Sequence, residues 1–176
     1  MRRFLRAHRG SVLAAAVVLA GLVVFVLVWF QPQKIFIEQT VDEGLPRATS
    51  TEGEPPSEPA PSLDETAVLA EGTFQSLDHE TTGAVRIIQL DSGERYLRFE
   101  DLATSNGPDL RVYLSEIPAS DDSHAYGERF IDLGPLKGNR GDQNYEIPAG
   151  TDLSRYKSAV VWCRRFTVGF GIAGLS

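Results

Sequence analysis

Cysteine is nearly absent: Cys163 stands alone in 176 residues, so no intramolecular disulfide framework and no paired-thiol motif can form. Any thiol chemistry must therefore run through a lone sulfur, a cofactor or a second molecule. The chain has only three histidines (His8, His79 and His124), and no His or Cys pair falls at zinc spacing, so no metal site is expected. No CxxCH motif is present, which excludes covalent attachment of a haem. A nucleophile-elbow sequence is also missing, and no carboxylate pair can be placed together. Asp121-Asp122, and Asp101 with Asp109, lack the spacing of an EF-hand calcium loop and read as solvated loops. A stand-alone enzyme is not expected. Beyond Glu71 the chain carries 15 acids and 11 bases, a mixed surface with no basic face for nucleic acid.

What the chain does have is one long apolar run. Residues 11–30, SVLAAAVVLAGLVVFVLVWF, contain no charge, and a helix of about 20 residues spans about 30 Å, the thickness of a bilayer core. Trp29 and Phe30 close it with aromatics suited to the headgroup interface. Arg2, Arg3, Arg6 and Arg9 precede it, and an acidic stretch follows. By the positive-inside rule, residues 1–10 are a cytoplasmic flank, 11–30 cross the lipid bilayer, and the rest is exported. A cleaved signal peptide is the competing reading. The run is longer than a signal h-region, and no small-x-small cleavage site follows Phe30, which favours a retained anchor.

Residues 31–70 are expected to be a disordered linker. From Gln31 to Glu71 nine acids face only Lys34 and Arg47, a net of −7, and Pro46, Pro55, Pro56, Pro59 and Pro61 fall in the same stretch. Such a composition cannot bury enough apolar surface to offset ordering. Repelling acids and polyproline-prone residues favour an extended spacer.

From about Glu71 the pattern changes to period two, and residues 71–176 read as one β domain. Ala84–Leu90 and Tyr96–Phe99 flank the turn Asp91-Ser92-Gly93, which predicts a hairpin. Leu110, Val112 and Leu114 alternate with polar residues behind the turn Asn106-Gly107-Pro108-Asp109. Short strands are expected at 130–133 and 144–147, around the loop 137–142. That loop lacks the strand–loop–helix setting of a phosphate cradle. Its glycines are expected to serve turns, with Asn139 and Gln143 bonding to nearby main chain. Residues 159–170 read as one last strand, with Val160 and Trp162 on one side and Val161 and Cys163 on the other. Helical turns are expected only near 119–126 and 151–156. The fold class is all-β, an antiparallel sandwich or small barrel.

Several of these segments, in this order, carry a resemblance. Gly72-Thr73-Phe74 with His79 and Gly83, Gly107-Pro108-Asp109-Leu110, the run from Leu133 through Gln143 to Tyr145, and Val160-Val161-Trp162-Cys163-Arg164-Arg165-Phe166 resemble the DM13 domain family. The similarity covers about Glu71 to Leu175. It implies an extracytoplasmic β domain whose characteristic cysteine has been linked with redox or electron-transfer work, with Cys163 as the reactive or ligating group. It also implies haem as a conceivable non-covalent cofactor, with Cys163 and His79 as axial ligands of known types. The residues themselves leave Cys163 open between a reactive thiol and a buried small hydrophobe. On a continuous strand Arg165 would share its face and could lower its pKa. A redox or envelope protein is the implied partner. The alternative is a cell-envelope binding module that uses its glycine loop and aromatics, with a structural cysteine.

Overall fold

The computed structural model describes residues 9–29, 38–46 and 66–176, with helix side chains described for 12–25. The chain divides between Ile37 and Glu38 into two compact units. The first contains helix α1, Arg9–Trp29, with no acid in its first turn. No proline interrupts its Ala, Leu and Val run, and the described side chains, 12–25, are apolar on every face, unlike the one-sided stripe of a helix packed on a soluble core. Val17 and Leu19 are among the exposed large apolar side chains along it. Among the described residues no helix is long and apolar enough to cross a membrane.

The second unit is β throughout. Its strands are β1 Thr40–Asp42, β2 Ala67–Ser76, β3 Thr81–Gln89, β4 Arg95–Thr104, β5 Leu110–Ser115, β6 Phe130–Pro135, β7 Arg140–Ile147, β8 Ser158–Cys163 and β9 Val168–Gly174. They form one nine-stranded sheet in the order β1-β7-β4-β3-β2-β9-β8-β5-β6. All pairs are antiparallel except β1 with β7. The all-β expectation holds in this form: a curled, open sheet rather than two separate sheets or a closed barrel. The reason lies in β2, whose Ala67–Thr73 part pairs with β3 while Phe74–Ser76 pairs with β9. One long strand thus joins both halves. Bulges sharpen the curl: β3 shifts register at Gly83 and β4 between Phe99 and Leu102, where Asp101 takes a φ of 50°.

Alternation then directs side chains. Val85, Ile87, Leu97, Phe99, Tyr145 and Ile147 from one half meet Val112, Leu114, Val161, Phe170 and Ala173 from the other in the main core. Strand β8 is buried on both faces. Its other side, Val160 and Trp162, joins Tyr113, Tyr126 and Ile172 in a second cluster, with Ile117, Ala125 and Phe130 packed against it. The loop between β5 and β6 folds over this outer face. Tyr126 pins it: the fully buried ring places its hydroxyl 2.7 Å from the Ser120 N–H, which donates to it, and the hydroxyl donates to the Ser120 carbonyl. Residues 119–126 form turns rather than a helix, while 151–156 hold a short 3-10 turn, Leu153–Arg155, capped by Asp152.

Two segments differ from the sequence expectations. Residues 159–170 are a hairpin, not one strand: Cys163 pairs with Val168, and Arg164 to Thr167 turn between them. No glycine or proline marks that turn; Thr167 supplies its positive φ of 55°. In addition, within the stretch read as linker, Thr40–Asp42 and the first residues of β2, 67–70, belong to the sheet. Thr40, Val41 and Asp42 pair with Arg140, Gly141 and Asp142. The rest of the described-as-linker stretch, 31–37 and 47–65, lies outside the described residues.

Candidate functional site

Cys163 ends β8 pointing into the main core. It is fully buried, opposite Leu110 on one neighbouring strand and Val168 on the other, among apolar side chains. Arg165 does not share its strand face as expected, because β8 stops at Cys163 and Arg165 sits exposed in the turn. The thiol therefore meets the core as a small hydrophobe does.

His79 lies in the β2–β3 connection, half-buried, with its ring stacked on Phe170 at 3.7 Å between centroids and 28° between planes. Phe170 belongs to the same core cluster as Cys163. The two residues named as haem ligands are thus linked through packed side chains and do not face a common cavity. A haem needs an open slot between its axial ligands, so these residues, as folded, do not fit one.

The glycine loop performs structural work. Gln143 is fully buried, and its amide accepts from the Gly138 N–H at 3.1 Å and donates to the Gly138 carbonyl at 2.8 Å. Its Oε1 also accepts from the Tyr145 hydroxyl at 2.6 Å, and that hydroxyl accepts from the Lys137 N–H at 3.1 Å. Burial pushes the Tyr145 phenol well up from its ordinary value. Asn139 donates to the Thr104 carbonyl at 3.1 Å and accepts from the Gln39 N–H at 2.7 Å. The expectation that Asn139 and Gln143 bond to main chain is met, and Asn139 also fastens the segment 38–46. Glu43 completes that attachment, ion-paired with Lys137 at 2.7 Å and accepting from the Asn144 N–H at 2.7 Å. Buried Arg98 crosses beneath it, donating to the Glu43 carbonyl at 3.0 Å and pairing with Asp142 at 2.5 Å. Gly138 and Gly141 have no room for a side chain, because a Cβ would meet the carbonyls of Gln39 and Val41.

A groove opens on the other face of β8. It has a volume of about 340 Å³ and is lined by Tyr113, Phe130 and Trp162 below, with His124, Gly127 and Arg164 at the rim. Tyr113 and Phe130 stack at 3.8 Å and 8°, and Trp162 lies 6.1 Å from Tyr113. Desolvation, helped by Asp132, raises the Tyr113 phenol above its ordinary pKa, so it stays a hydroxyl donor. Arg164 donates through Nε to Asp109 at 2.9 Å. His124, which had no nameable partner in the sequence, places Nδ1 2.9 Å from the Thr167 carbonyl. A carbonyl only accepts, so Nδ1 carries the hydrogen. Neither Cys163 nor His79 lines this groove. Sequence alternation already put Trp162 on the strand face opposite Cys163; what it lacked was the loop that covers that face. Of the acids considered for calcium, Asp122 accepts from the His124 N–H at 3.0 Å, and Asp109 pairs with Arg164. Among the described residues no group of three or more His, Cys, Asp or Glu could hold a metal ion.

Fold and site together define a small all-β domain with one buried thiol and an aromatic groove on the opposite face of the same strand. The family model described as "Electron transfer DM13" matches residues 73–175, and the chain belongs to that family. Comparisons with curated proteins and with solved structures return no match. The match begins within β2, so strand β1 lies outside the matched region while the residues it pairs with, Arg140 to Asp142, lie inside it.

Proposed function

We propose that this chain is a membrane-tethered electron-transfer domain working outside the cytoplasm, anchored in the lipid bilayer through residues 11–30, with a redox protein of the cell envelope as its partner. Membership in the electron-transfer DM13 family carries the reading. The uncharged run of residues 11–30 and the arginines before it support the anchor and its direction. In this reading Cys163 is the redox-bearing residue, acting from within the core, and His79 lies at the same end of the core through Phe170. The test is electron exchange by the membrane-inserted full chain, measured by protein-film voltammetry with Cys163→Ala beside it. A wave lost in that variant supports Cys163 as the carrier; a wave that persists unchanged removes it from the mechanism.

The complete burial of Cys163 favours a second reading: a cell-envelope binding module in which the cysteine is a core residue. A chain with no voltammetric wave, and a thiol unreactive until denatured, would leave this reading standing.

A further inference from the structure

We propose that the groove above Trp162 is a binding site for a small quinone or quinol head group. The choice of ligand class rests on the electron-transfer reading; the existence of the site does not. A volume of about 340 Å³ lies at the low end of the ~300–1,000 Å³ of small-molecule sites. It suits one ring or two fused rings and is too small for a macrocycle. The lower wall is already ordered. Tyr113 and Phe130 hold each other in a parallel stack, so a flat ligand meets aromatic side chains that need no rearrangement. Trp162 and Tyr113 keep only 3% and 2% of their surface exposed. So little exposed surface leaves no broad ring face for a sugar to stack on as a platform.

Gly127 leaves the entry open. A Cβ there would stand 3.4 Å from Cζ2 of Trp162, so any larger side chain would cover the indole. The rim supplies both polarities. Arg164 engages Asp109 through Nε, and its guanidinium fork carries further N–H donors suited to a quinone carbonyl. His124 gives its Nδ1 hydrogen to the Thr167 carbonyl, so the neutral ring presents Nε2 as an acceptor for a quinol hydroxyl. A flat ring bearing an oxygen that alternates between carbonyl and hydroxyl matches this combination of aromatic walls, one cationic donor and one acceptor.

The experiment uses the full chain in detergent with Trp29→Phe, which leaves Trp162 as the one indole, and titrates it with water-soluble 1,4-naphthoquinone-2-sulfonate. Saturable quenching of Trp162 fluorescence is expected. It should weaken at least about tenfold in Gly127→Leu, a change of one decade in Kd, and also in Arg164→Gln. Quenching that rises linearly without saturation, or that saturates equally in Gly127→Leu and Arg164→Gln, overturns the site. Groove-dependent binding in a chain that exchanges no electrons would uphold the site and sink the electron-transfer reading. Electron exchange without saturable binding would do the reverse.

Discussion

Cys163→Ser is the obvious probe of a redox cysteine, and the structure makes it a misleading one. The sulfur sits fully buried among Leu110, Val161 and their apolar neighbours. A serine hydroxyl placed there would have no partner in the apolar cluster, at a cost of about 1–3 kcal/mol. Cys163→Ala adds no polar group and loses roughly one methylene's worth of burial, about 0.8 kcal/mol. Against a total stability of about 5–15 kcal/mol both variants fold, with serine the less stable. The same burial sets thiol reactivity. If labelling requires global opening, 5 kcal/mol holds the open fraction near 10⁻⁴, at about 1.4 kcal/mol per decade. A maleimide should therefore label the native thiol about four orders of magnitude more slowly than the chain in guanidinium chloride. Native labelling at the denatured rate would refute this, because the sulfur would then reach solvent with the fold intact. Serine and alanine variants of equal stability would refute the claim that the surrounding core is closed and apolar.

Three further outcomes follow from the same packing. Gln143→Leu strips partners from the Gly138 N–H, the Gly138 carbonyl and the Tyr145 hydroxyl; at about 1–3 kcal/mol for each buried group, the urea midpoint should fall by the equivalent of about 3 kcal/mol or more at unchanged slope. Tyr145 holds its proton more tightly folded than unfolded, so its contribution to stability is full below about pH 10, the unfolded tyrosine value. It is lost as pH rises beyond that, and Tyr145→Phe should flatten this alkaline slope. Gly141→Ala puts a side chain against the Val41 carbonyl at a φ of 90°; hydrogen exchange at the Gln39 and Glu43 amides should speed up while the β3 and β4 amides stay protected.

The family motif invites a functional interpretation of its most distinctive stretch, and the packing gives another. Lys137 through Tyr145 is a clamp: a buried glutamine closes the loop, and two glycines with Asn139 accept strand β1 at the sheet edge. Residues 38–46 thus cap an edge that would otherwise present unpaired main chain.

Much of this was legible locally. Apolar alternation located β3, β4 and β5 because side chains on a strand point to opposite faces whatever their partners. The Asp91-Ser92-Gly93 turn announced its hairpin, where Gly93 adopts a φ of 90°. That Trp162 and Cys163 take opposite faces followed from the same two-residue period; which of those faces is the core did not. Other features had no local sign. The turn at Arg164–Thr167 contains no glycine or proline, so it read as strand until β9 was seen paired with β8. Strand β1 is three residues in an acidic, proline-rich stretch, and only contacts some hundred residues away, Gln39 with Asn139 and Glu43 with Asn144, give it a place. The curl of the sheet depends on β2 dividing its hydrogen bonds between β3 and β9. The sequence by itself determined which residues share a strand face, because that depends on backbone geometry over a few positions. The tertiary structure alone decided which faces meet, which edge is capped and where the groove opens, because these are pairings between distant segments that local chemistry does not encode.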